Sequence, residues 1–122
     1  MPPDPETAAS RVIDAARLDE LRALLGDALD DILRIWLIDA PAILAVAHLA
    51  RQTGEPDTLI KAIHGMKGSA GNVGAIELSE LAGTLERHLK GAEPALDLDA
   101  ELSRLDACYN RAACHIRLLI QP

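Results

Sequence analysis

The chain has 122 residues, 49% hydrophobic and 25% charged, with one Trp, one Tyr, no Phe and a formal net charge of -7. A single domain of this length buries about two-thirds of its unfolded surface, enough for one core without metal or disulfide staples. The acidic balance excludes the basic stripe that displaces counterions from nucleic acid, and a core without Phe, built from Leu, Ile and Ala, predicts helices.

Met1 to Ser10, with Pro2, Pro3 and Pro5, reads as a disordered tail, leaving 11–122 as one domain. Asp14 suits an N-cap, with Ile13 placed to staple onto Leu18. The first helix is short: Leu18, Leu21 and Leu25 share a face, Gly26 ends it, and Asp27 caps the next. The second carries a seam at Leu29, Leu33, Trp36, Ala40, Ile43, Ala47 and Ala50, with Pro41 inside it predicting a bend near Leu37. Its stretch from Ile32 to Ala50 is the most membrane-like, but Arg34, Asp39 and Pro41 interrupt it, so it reads as a buried bundle helix.

Gly54 and Pro56 mark a turn. The third helix repeats the seam at Leu59, Ile63, Met66, Ala70 and Val73 and ends near Gly74; the fourth uses Leu78, Leu81, Leu85 and Leu89 and stops at Gly91. The fifth runs with Leu98, Leu102, Leu105, Tyr109, Ala112, Ile116 and Leu119. The predicted fold is all-α: an antiparallel up-and-down four-helix bundle with a short N-terminal lid helix. Cys108 and Cys114, six apart on one helix, point in different directions and cannot bridge. With no basic, apolar secretory start in the first thirty residues, a reducing cytoplasm is the expected compartment.

The segment from His64 to Gly74 breaks the local rules. Gly65, Gly68 and Gly71 lie inside a periodic helix, and each costs about 0.8 to 1.0 kcal/mol relative to Ala. With the seam inward, His64 sits about 140° from its centre and faces solvent. Its helical neighbours are Ile60, Lys61, Lys67, Gly68 and Gly71, so the imidazole projects from a nearly bare patch of backbone that a partner can approach closely. An exposed imidazole is mostly neutral at pH 7 and is then nucleophilic without a general base. A phosphoryl group on the ring would carry negative charge for Lys67 to stabilise, with Lys61 at longer range. Ile60, Lys61, Gly68 and Gly71 are candidate partner contacts; Ser69, Asn72 and Gly74 are assigned structural roles at the helix end.

These residues resemble the histidine-containing phosphotransfer domain of bacterial two-component phosphorelays. The resemblance lies in His64, Lys67-Gly68-Ser69, Asn72 and Gly74-Ala75, and extends loosely over Ile13 to Leu119. It implies that His64 accepts a phosphoryl group through Nε2 from a receiver-domain aspartate, that Lys67 stabilises the product, and that any Mg²⁺ belongs to the partner. Implied partners are response-regulator receiver domains or a hybrid histidine kinase; the chain is expected to be a monomer and a phosphoryl carrier rather than an enzyme. Gly65, Gly71 and Pro41 depart modestly from the family's pattern.

Other chemistry finds no footing. A haem attachment before His115 needs a Cys where Arg111 stands. A di-iron bundle needs Glu-x-x-His, and Ala45, Lys61, Leu85 and Ala112 occupy the required positions, so no metal is expected. Lys67-Gly68-Ser69 lacks the order and preceding strand of a phosphate loop. His48, His88 and His115 read as incidental, and Glu86 with Lys90 as a surface i, i+4 pair. The alternative functions are a non-catalytic receiver- or kinase-binding module using the same patch, and a helical bundle that only dimerises.

Overall fold

The computed structural model describes residues 11–91 and 97–120. The predicted tail lies outside them. The described residues form five helices: α1 (Ala15–Leu25), α2 (Ala28–Thr53), α3 (Pro56–Asn72), α4 (Ile76–Lys90) and α5 (Leu98–Leu119). Helices α2 to α5 form a closed ring of neighbours, with α3 packed on α2 and α4, and α5 on the far sides of both. The short turns joining α2 to α3 and α3 to α4 enforce up-and-down order.

The local signals explain most boundaries. The Asp14 carboxylate accepts from the Arg17 backbone N–H at 3.1 Å and starts α1, while Ile13 and Leu18 are both buried, as a hydrophobic staple requires. The Arg22 guanidinium donates to the buried Asp30 carboxylate at 2.8 Å, tying α1 to α2 and holding that carboxyl below its usual range. Asp27 makes no side-chain cap; it already has helical backbone angles, so its carboxylate does not reach the first free N–H groups.

The core seam of α3 is as predicted, with Leu59, Ile63, Met66, Ala70 and Val73 all buried. In α2, Leu44 is buried and Ile43 only partly so; the buried face passes through Ala40, Leu44 and Ala47. Leu119 is exposed, whereas Ile116 is buried and Ile120 packs against the core at the end of α5.

Pro41 does not divide α2, which is a single helix from Ala28 to Thr53. A proline has no N–H, so the carbonyl four residues earlier loses its helical donor. That carbonyl is Leu37 O, and the Tyr109 hydroxyl donates to it at 3.0 Å from α5. Tyr109 therefore does more than fill the seam beside Trp36, whose ring centroid is 5.4 Å away. By length and composition α2 could cross a membrane; here Leu33, Trp36 and Ala47 line the bundle core instead.

Gly74 closes the α3–α4 turn at φ 76, a left-handed conformation in which a side chain is strained. Its carbonyl accepts from Asp14 N at 2.7 Å, and a Cβ there would meet the Asp14 carbonyl at 3.3 Å. The turn that follows the site helix is thus also the anchor for the start of α1.

Candidate functional site

His64 stands on the outer face of α3, its side chain 65% exposed, while its neighbours Ile63 and Met66 point into the core. The ring is not free to turn, because its Nδ1 lies 2.7 Å from Glu86 Oε2 on α4. Glu86 is the buried member of the site, with its side chain 5% exposed. Its other oxygen, Oε1, accepts from Lys67 Nζ at 2.7 Å, and Lys90 Nζ lies 3.1 Å from Oε2. One carboxylate therefore gathers an imidazole and two ammonium groups from two helices.

The hydrogen bond from Lys67, joined by those of Lys90 and His64, outweighs the opposing effect of burial and holds the Glu86 carboxyl down to about 2. An ionised carboxylate can only accept. Nδ1 must then carry the proton and donate it to Glu86, which leaves Nε2 of the neutral ring with the lone pair. The buried acid thereby selects the tautomer in which Nε2 holds the ring's lone pair.

Around the ring the surface is low. Ideal Cβ atoms on Gly65 and Gly68 would meet nothing within 4 Å, and Lys61 is exposed and has no ion-pair partner among the described residues. Ile60 is half-buried at the edge of the patch. Gly71 is exposed but lies on the α4 side, where a Cβ would sit 3.4 Å from Ser79 Oγ. Ser79 Oγ itself donates to the Lys67 carbonyl at 2.9 Å. Ser69 and Asn72 make no side-chain hydrogen bond among the described residues. Backbone bonds close the helix end in their place, from Ala75 N to Ala70 O at 2.9 Å and from Gly74 N to Gly71 O at 3.2 Å.

Of the remaining histidines, His48 Nε2 lies 2.8 Å from Asp106 Oδ2 across α2 and α5, while His88 and His115 make no polar contact among the described residues. No group of three or more metal-ligating side chains is placed to hold an ion among those residues. Cys108 is buried and Cys114 exposed, both free; burial, with the Glu77 carboxylate nearby, pushes the Cys108 thiol up to about 11.

The residue that periodicity alone overlooks is Glu86. Reading it as half of an i, i+4 surface pair with Lys90 captures one of its three bonds and misses its burial. A signal was present: Glu86 follows Leu85 directly and stands four residues after Ala82, so it borders the buried seam of α4, where an unpaired acid would be costly.

Comparison with known proteins places the chain in a family. The family model of the Hpt domain matches residues 31–113, more than half of the chain, and the chain belongs to that family of histidine phosphotransfer domains. The crystal structure of histidine-containing phosphotransfer protein B from Pseudomonas aeruginosa PAO1 is similar in fold. Its TM-score is 0.84 at 22% sequence identity, covering 90% of this chain and 95% of that one. No curated protein sequence matches the chain significantly.

Proposed function

We propose that this protein carries phosphoryl groups on His64 Nε2, accepting them from the aspartyl phosphate of one receiver domain and passing them to another. The observation that carries this reading is the Nδ1 contact with Glu86, which leaves Nε2 as the reactive nitrogen on the open side of the ring. In the forward step the Nε2 lone pair attacks phosphorus in line, the acyl P–O bond breaks, and the aspartate carboxylate leaves with the electron pair. The Nδ1 proton stays in place, and the positive charge that develops on the ring lies against the Glu86 carboxylate. Lys67 and Lys90 are held on the same carboxylate that binds His64, so under this reading their ammonium charges are available to the phosphoryl oxygens.

The carrier needs neither a nucleotide nor a metal of its own under this reading; the receiver supplies Mg²⁺ and most of the charge stabilisation. Docking falls to the open surface at Gly65 and Gly68 together with the exposed apolar face of α2, where Ile35, Ile38, Val46 and Leu49 are 47 to 72% exposed. A monomer working in the cytoplasm completes the proposal. Incubation with phosphorylated receiver domains should place an acid-labile label on His64 and none on His64→Gln. Equal labelling of the two proteins would refute the assignment.

A further inference from the structure

Gly83 is buried in the middle of α4, in helical conformation, where no turn or positive φ calls for glycine. Glycine is among the weakest helix formers, so something must occupy the position that a side chain would take. A Cβ built there would lie 3.2 Å from Lys67 Cδ and 3.8 Å from Lys67 Cγ. The methylene stem of Lys67 takes up most of that space, with Arg87 Nη1 at 3.7 Å on its border. Three residues further along α4, on the same face, is Glu86, which receives the Lys67 ammonium. The base of the lysine is fixed separately, through the Ser79 hydroxyl on its carbonyl.

We propose that Gly83 is a positioning residue for the phosphotransfer site, a gap in α4 through which Lys67 lies flat and reaches both Glu86 and the oxygens of phosphorylated His64; this rests on the carrier function proposed above. Lys67 is held at three points: its carbonyl on Ser79, its stem on Gly83 and its ammonium on Glu86. A stem laid in a groove has fewer rotamers to lose when its head engages a charge. Even a methyl group at position 83 lifts that stem by a few tenths of an ångström and lengthens the reach to Glu86. The contrast with Gly65 and Gly68 is direct, since their missing side chains leave open surface and hers is filled by a functional side chain of the neighbouring helix.

The test is a cycle of Gly83→Ala, Lys67→Ala and the double variant, each phosphorylated from a receiver donor and followed for decay of phosphohistidine, with melting recorded in parallel. Gly83→Ala should melt at or above the wild-type temperature, because alanine favours the helix. Its phosphohistidine should nevertheless be about threefold or more shorter-lived. In the Lys67→Ala background the same substitution should change the lifetime no further. An unchanged lifetime in Gly83→Ala, or an effect that persists without Lys67, would overturn the inference. Wild-type protein that forms no phosphohistidine would instead overturn the carrier function on which it rests. Should Gly83→Ala fail to fold, nuclear Overhauser contacts between the Gly83 Hα and Lys67 δ protons in the wild type decide the matter; their absence counts against the proposal.

Discussion

Two histidines in this bundle touch a carboxylate at almost the same distance, and only one has the makings of a phosphoacceptor. His64 and Glu86 are 2.7 Å apart, His48 and Asp106 2.8 Å. At the first site the acid is 5% exposed and the ring 65%; at the second, the acid is 42% exposed and the ring 39%. The first acid also holds Lys67 and Lys90, and it binds Nδ1, leaving Nε2 outward. Asp106 binds Nε2 itself, and His48 sits in a groove walled by Pro41, Leu44 and Tyr109. A short histidine–carboxylate contact is therefore not a site. Under the proposed function, the acid must be sunk, the correct nitrogen left free, and the approach bare.

The last of these requirements is tested most severely by giving His64 a wall of its own. Gly68→Gln places a long side chain in space that is open in the native protein. We expect the domain to remain folded, because glutamine is the better helix former, while transfer from receivers falls by a hundredfold or so through lost near-attack geometry. Stopped transfer with a native circular dichroism spectrum is the expected pair of results; normal transfer would mean that the bare backbone does not matter. Smaller, but still large, is the effect of Glu86→Gln. The amide keeps the shape and removes the charge that orders the tautomer and both lysines, and transfer should slow roughly tenfold or more. The corresponding change at the other pair, Asp106→Asn, should leave the transfer rate unaltered.

The same comparison has a signature in stability. The Glu86 carboxyl, lowered from 4.5 to about 2 chiefly by the Lys67 hydrogen bond, stabilises the fold fully above about pH 4.5 and progressively less as the pH falls toward 2. On the order of 2 to 3 kcal/mol should vanish across that window. Urea unfolding at pH 6 and pH 2.5 should show a smaller acid loss in Glu86→Gln than in the wild type, with the loss from other carboxylates common to both. Equal losses would mean that Glu86 is not ionised against its three partners in the native state.

Local periodicity made the site helix legible and left its supports obscure. The 4-3-4-3 spacing on α3 places Ile63 and Met66 inward and His64 outward, because each of those assignments depends on one helix and its turn angle. Glu86 was legible only through Lys90, four residues on. Its bonds to His64 and Lys67 span 22 and 19 residues and exist only once α4 has docked on α3. Pro41 teaches the same lesson: the missing donor is a local fact, whereas its replacement by the Tyr109 hydroxyl comes from a residue 72 positions away from the carbonyl it serves. Gly83, too, is locally only a weak spot in a helix until Lys67 is seen lying on it.

The smallest expected effect lies at the second pair, and it is the one that fixes the scale of the comparison. Asp106 and His48 are both close to 40% exposed, so water screens their attraction, and the acid has no second cation among the described residues. Exposed pairs of this kind contribute roughly 0 to 1 kcal/mol. Asp106→Asn should therefore shift the unfolding free energy at pH 6 by about 0.5 kcal/mol or less. A loss several times larger would show that the groove around His48 excludes water as thoroughly as the bed of Glu86, and burial of the acid would then cease to distinguish the two sites.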